Sequence, residues 1–276
     1  MIRTLFYGAS GALRNGWWIL LFYLALGVAV AGLIQLAPQG QVPELWQLGA
    51  ALAVTALLQT GRRRPWRELS GQPGLVWLHY FGLGTLLAAA LWGMPTLFLL
   101  LLGATRMTCD GPLSTLVAGL LALMSATVLE EVVFRGFVFR RLQDGLGPAT
   151  AVLLSAGHFL LVHMNNPGMH GVTHVLAMAN IFIAGLAFGL AALRSGGLAL
   201  PIGLHLGANW LQGPLLGFGV SGHATEHLCR QQLNGPDWLT GGAFGLEASV
   251  PGTLAIMAVA WLLWRWRPAQ QHDGKK

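Results

Sequence analysis

The feature that most constrains the fold is a series of apolar stretches, each close to the length that crosses a bilayer. A membrane-spanning α-helix needs about 20 predominantly apolar residues. Eight stretches approach or meet this requirement, at 16–37, 44–60, 79–103, 113–140, 148–165, 172–193, 198–218 and 244–266. The second and fifth are short or weakly bounded. We therefore predict an all-α bundle of about eight transmembrane helices, forming a single integral membrane domain over residues 1–276.

Composition supports a membrane location and argues against a nucleic-acid partner. Hydrophobic residues make up 54% of the chain and charged residues only 9%, which is outside the range of soluble domains. The net charge of +6 forms no basic face or motif, because the basic residues fall in short loops between apolar stretches. The first stretch is too long and too apolar for a signal-peptide core, and no small-residue cleavage site follows it. We expect it to remain attached.

The positions of Lys and Arg predict the orientation, since these residues concentrate in cytoplasmic loops. With the N-terminus inside, thirteen of them fall on the cytoplasmic side and only two, Arg106 and Arg230, on the opposite side. The thirteen are Arg3, Arg14, Arg62, Arg63, Arg64, Arg67, Arg140, Arg141, Arg194, Arg265, Arg267, Lys275 and Lys276. We expect both termini to be cytoplasmic. The abundance of Gly, Trp and basic loops favours a bacterial inner membrane.

Both cysteines, Cys109 and Cys229, fall on the outer side of this topology. In an oxidising compartment, a disulfide would join the loop after the third stretch to the loop after the seventh. The alternative is two unrelated small apolar residues. The sequence leaves this choice open, because it gives no distance between them.

Two adjacent glutamates, Glu130 and Glu131, interrupt the fourth apolar stretch. An ionised carboxylate near the bilayer centre costs about 2.5–3.5 kcal/mol on insertion scales, so this pair indicates a function. Arg135 follows Glu131 by four residues, on the same helical face and in the favourable order for an ion pair. Glu130 points about 100° away and lacks that partner.

Three more polar residues lie within or at the ends of apolar stretches. His163 ends the fifth stretch, and His205 and Asn209 lie four residues apart on one face of the seventh. For His158 we expect only an ordinary hydrogen-bond partner. The other three, together with Glu130, are most economically explained by one polar cavity inside the bundle.

These residues form three motifs in a fixed order. They are Glu130–Gly136, which reads EExxxRG, then Phe159xxxHis163, then His205xxxAsn209. The set resembles the CPBP family of intramembrane proteases, which includes the CAAX prenyl endopeptidases and many bacterial relatives. The resemblance covers a core of about 113–210, and no motif position departs from the pattern.

The resemblance implies a metal-independent glutamic endopeptidase with no cofactor, acting on a membrane protein or peptide. By this resemblance, Glu130 and His163 activate a water, and His205 and Asn209 stabilise the oxyanion. Glu131, Arg135 and Phe159 support the site structurally. Two side chains on one helical face, such as His205 and Asn209, can donate hydrogen bonds to the oxyanion. Each such donor typically stabilises the transition state by about 2.7–4 kcal/mol.

A zinc enzyme is the competing mechanism, because Glu130, His163 and His205 are suitable zinc ligands. Against it, the sequence lacks the zinc-binding motif HExxH. His170 and His174 have the i, i+4 spacing of that motif, but the catalytic Glu is missing between them.

Two non-enzymatic functions also remain. A membrane scaffold, or an immunity or regulatory protein, would keep the fold without the chemistry. A transporter would use the acids as a proton relay, but no pair of interrupted helices occurs in matching halves. The sequence leaves open the substrate and its lipidation, the leaflet from which it enters, and the oligomeric state.

Overall fold

The fold is a helix bundle, as predicted. The computed structural model describes Phe6, Gly8 and residues 13–267. Nine helices of ten or more residues lie in this part: α1 Asn15–Leu36, α2 Glu44–Gly61, α3 Leu75–Leu101, α4 Ser114–Glu131, α5 Phe137–Leu146, α6 Pro148–His163, α7 Gly171–Ser195, α8 Ala199–Trp210 and α9 Val250–Arg265. Arg3, Lys275 and Lys276, which enter the orientation prediction, lie outside the described residues, as do both chain ends.

Each of the eight predicted spans overlaps one of these helices, and the fourth overlaps two. A π-helical turn, Val132–Gly136, joins α4 to α5, so that one helical segment runs through the predicted fourth span. Four helical segments are long and apolar enough to cross a membrane: Asn15–Leu36, Arg67–Leu101, Ser114–Leu146 and Gly171–Ser195. The all-α membrane bundle is therefore confirmed.

The last two predicted spans are longer than the helices found there. All residues of α8 from Ala199 to Ala208 are buried, so this helix is surrounded by protein and need not match the bilayer thickness. Helix α9 begins only at Val250, because the Ser249 hydroxyl accepts a hydrogen bond from the Gly252 amide at 2.9 Å and caps the helix. A short 3₁₀ turn, Leu246–Ala248, precedes it.

Helix α8 packs very closely against α3. A Cβ atom added at Gly203 would overlap the Phe81 carbonyl oxygen, and one added at Gly207 would lie 2.9 Å from the Ala88 Cβ. Gly84 of α3 makes an equally close approach to the backbone of α8. The absence of side chains at these positions fixes the depth and rotation of α8, which carries two of the motif residues.

The two ends of the bundle differ. At one end, strands β1 (Thr105–Cys109) and β2 (Cys229–Leu233) form an antiparallel ribbon, and a disulfide joins Cys109 to Cys229. We call this the ribbon end. The question that the sequence left open is thereby answered in favour of the disulfide.

The opposite end, which we call the arginine-rich end, contains the start of α1 and the last turns of α2, α5, α7 and α9. Here the Glu68 carboxylate lies 2.6 Å from the Arg141 guanidinium and 3.5 Å from that of Arg140. These ion pairs join the short helix Arg67–Ser70 to α5.

Candidate active site

A buried ion pair fixes the conformation of the first motif. The Arg135 Nη1 atom lies 3.0 Å from the Glu131 Oε1 atom, and neither side chain is exposed. The pair has the predicted spacing, although the residues between its members form a π-helical turn rather than regular α-helix. Such turns are common at functional sites.

Aromatic rings enclose the Arg135 guanidinium. Its central carbon lies 4.5 Å from the ring centroid of Phe159, 5.0 Å from that of Phe188 and 5.5 Å from that of Phe134. Its Nη2 atom donates to the Gly185 carbonyl oxygen at 3.4 Å. The Phe159 of the second motif therefore lies against the charge of the first, in a supporting position.

Glu131 also holds the histidine of the third motif. The His205 Nδ1 atom lies 2.8 Å from Glu131 Oε1, and the Phe188 ring stacks on the imidazole at 4.5 Å between centroids. This contact joins α4 to α8. The sequence predicted only the partner Arg135 for Glu131, because no local spacing indicates a contact between residues 74 positions apart.

Glu130 lies between two imidazoles. Its Oε2 atom is 3.7 Å from His163 Nε2 and 3.8 Å from His205 Nε2. These distances are too long for hydrogen bonds, and Oε2 is buried without a hydrogen-bond partner in the described part of the chain. The His163 Nδ1 atom lies 2.8 Å from the Phe159 carbonyl oxygen, which orients Nε2 toward Glu130.

A largely apolar cavity of about 640 Å³ contains this group. Glu130, His163, His205 and Asn209 all line it, so that the four residues predicted to act chemically meet in one place. Asn209 lies one turn after His205 on α8, and a second π-helical turn, Leu211–Leu215, follows it. His158 is not among the lining residues, and its Nδ1 atom lies 3.2 Å from the Tyr23 hydroxyl.

The sequence did not single out Glu247, whose carboxylate also lies on the cavity wall. The Glu247 Oε2 atom accepts hydrogen bonds from the Ser221 amide at 2.9 Å and from its hydroxyl at 2.7 Å. Ser221 has a left-handed backbone (φ 49°), which is uncommon for a residue other than glycine. A lone Glu near the start of the predicted last span, 244–266, was the available sequence signal.

The residues proposed for the zinc alternative do not form a ligand set. In the range 13–267, no group of three or more His, Cys, Asp or Glu side chains is arranged to hold a metal ion. His170 and His174 are exposed at the start of α7 and do not line the cavity.

Comparison with known proteins bears on the segment that carries the motifs. The model of the type II CAAX prenyl endopeptidase Rce1-like family matches residues 112–211, which include every motif residue from Glu130 to Asn209. Over these residues, the chain is similar to that family. The predicted resemblance is confirmed, and this match supports an intramembrane protease of CAAX type at the level of the family. The apolar helices agree with an integral membrane protein. No curated protein and no solved structure matches the chain.

Proposed function

We propose that this Rce1-like protein is an intramembrane endopeptidase whose water nucleophile is activated by Glu130 and His163. The observation that carries the proposal is the position of the Glu130 carboxylate, between the imidazoles of His163 and His205 on the wall of an apolar cavity. Its substrate is a membrane-associated protein or peptide, and its location is a bacterial inner membrane with cytoplasmic termini.

Each group has a role that its contacts support. Glu130, with His163, takes a proton from the water, whose oxygen attacks the peptide carbonyl carbon; the proton then passes to the departing amine nitrogen. The ion pair of Glu131 with Arg135 holds the helix, and Phe159 packs against that pair. A general base, positioned as Glu130 is, typically contributes about 10²–10⁴-fold to the rate.

The oxyanion site consists of His205 and Asn209. Because His205 Nδ1 faces the Glu131 carboxylate, it carries a proton, and Nε2 donates a hydrogen bond only when the imidazole is protonated. Asn209 supplies a neutral amide donor from the next turn of α8.

The test is a comparison of wild type with Glu130→Gln, expressed at matched levels and followed by mass spectrometry of new peptide termini in the membrane. We expect termini in the wild type that are absent with the variant, since glutamine cannot accept the proton of the water. Glu226→Gln is the matched control, because Glu226 is exposed and does not line the cavity. Identical termini in the wild type and Glu130→Gln would reject catalysis and favour the scaffold function.

A separate experiment tests whether cleavage requires a metal ion. Cleavage by the purified protein is expected to persist after dialysis against a chelator, because the proposed chemistry uses only side chains. Loss of cleavage on chelation, with recovery on addition of Zn²⁺, would favour the zinc mechanism with Glu130, His163 and His205 as ligands.

A further inference from the structure

The exposed polar residues that line the cavity lie at one end of the bundle. Six polar residues outside the motifs line the cavity at the ribbon end. They lie in the first turn of α2, directly after α6, and in the segment between α8 and β2. They are Glu44, Gln47, Asn166, Ser221, His223 and Thr225. Glu44 and His223 are exposed, so they mark the opening.

The arginine-rich end is closed to the cavity. Among the described residues, none from the ranges 13–20, 61–71, 140–150 or 194–199 lines it. At that end Glu68 joins the short helix Arg67–Ser70 to α5 through Arg141. A close contact between Gly71 and Gly197 packs together the connections that precede α3 and α8.

Two independent observations assign the ends to sides of the membrane. The disulfide between Cys109 and Cys229 lies at the ribbon end, and such bonds form and persist in oxidising compartments. The positive charges lie at the other end, where the described chain has Arg14, Arg62, Arg63, Arg64, Arg67, Arg140, Arg141, Arg194, Arg265 and Arg267. Among residues 13–267, the basic residues at the ribbon end are Arg106 and Arg230, and Arg230 is paired with Asp110 at 2.6 Å. Both observations make the ribbon end non-cytoplasmic.

We propose that the catalytic cavity opens on the oxidising, non-cytoplasmic side, and that the substrate is a segment of an exported or membrane protein reaching it from that side. The side of the opening stands on the disulfide and the charges alone, whereas the substrate class rests on the proposed protease function. A prenylated tail at the cytoplasmic face would have to enter through the arginine-rich end. The polar opening suits a hydrated peptide next to a membrane span, and the apolar wall suits the span itself.

Thiol labelling tests the side of the opening without any protease assay. Because both native cysteines form the disulfide, His223→Cys introduces a single free thiol at the opening, and Gln72→Cys introduces one at the arginine-rich end as the matched control. On intact cells, a membrane-impermeant maleimide is expected to label His223→Cys at once and Gln72→Cys only after permeabilisation. The reverse pattern, or labelling of His223→Cys only after permeabilisation, overturns the proposal.

The substrate class is tested by mapping the Glu130-dependent termini onto the topology of the cleaved proteins. We expect these termini in non-cytoplasmic segments. Termini concentrated in cytoplasmic tails would overturn the substrate class. If no Glu130-dependent termini appear while the thiol labelling is as expected, the protease function fails and the side of the opening stands.

Discussion

At the scale of single residues, two adjacent glutamates have opposite environments. Glu131 is fully buried and shared between Arg135 and His205, whereas the Glu130 side chain is 29% exposed and faces the cavity. Neighbouring residues on a helix point about 100° apart, so one can be held by the protein while the other remains accessible. The pair therefore combines a carboxylate that is held by ion pairing with one that faces the cavity.

Glu131→Gln is expected to destabilise the protein strongly. It would leave the Arg135 guanidinium buried without its carboxylate, and removing one member of a buried pair costs about 3–5 kcal/mol. Thermal unfolding in detergent measures the loss. Glu130→Gln is the matched control and should unfold near the wild-type temperature, because the Glu130 Oε2 atom has no hydrogen bond within the described residues. Equal losses in both variants would contradict this division of roles.

Asn209→Ala is expected to lower kcat about 10²–10³-fold with little change in KM, the effect typical of losing one oxyanion donor. Steady-state kinetics on a cleaved peptide checks the split between the two constants. Asn209→Asp should be no more active, since it would present a carboxylate to the developing negative charge. A change confined to KM would instead place Asn209 in substrate binding.

At the scale of the elements, the motif helices depart from regular α-helix where the motifs lie. The π-helical turn Val132–Gly136 follows Glu131 directly, and the turn Leu211–Leu215 follows the helix that carries His205 and Asn209. Helix α8 has only 12 residues and is almost wholly buried, so its position depends on its neighbours rather than on the bilayer. The close contact with α3 does much to fix the position of α8.

Gly203→Ala is expected to destabilise the bundle by about 1–3 kcal/mol, as overpacking does, because the new methyl group would overlap the Phe81 carbonyl oxygen. The control is Gly82→Ala on α3, where a Cβ meets nothing within 4 Å. That variant should be neutral or stabilised by about 0.4–1 kcal/mol, since alanine restricts the unfolded chain. Thermal unfolding of both variants distinguishes a packing effect from a general effect of replacing glycine, which would shift both in the same direction.

At the scale of the whole molecule, one disulfide encloses the complete motif-bearing core. The residues between Cys109 and Cys229 include helices α4 to α8, with every motif residue, and the bond spans a sequence separation of 120. The ribbon that it closes lies at the end where the cavity opens. The disulfide thus links the connection before α4 to the segment that lines the opening.

The double substitution Cys109→Ser with Cys229→Ser is expected to lower the free energy of unfolding by up to about 5 kcal/mol, because a cross-link over about 100 residues removes that much chain entropy from the unfolded state. Helices that stay inserted in the membrane would reduce the effect. Thermal unfolding with and without reductant measures it. The reductant should shift the wild type and leave the double variant unchanged; a shift in both would point to a different cause.

The sequence by itself determined the membrane bundle and the identity of the motif residues. Span number follows from length and apolarity, which are local properties, and the Glu131–Arg135 pair follows from helical spacing. The three motifs also predicted the resemblance to the family, over the same part of the chain that the family model matches.

Only the tertiary structure decided which of these residues touch. The contact of Glu131 with His205, the bond of Glu247 to Ser221 and the disulfide all join residues distant in sequence, and helical periodicity carries no information about such pairs. The end at which the cavity opens is likewise a property of the packed bundle. The physical reason is that an apolar helix specifies its own formation in a bilayer, whereas its rotation and neighbours depend on close packing between helices.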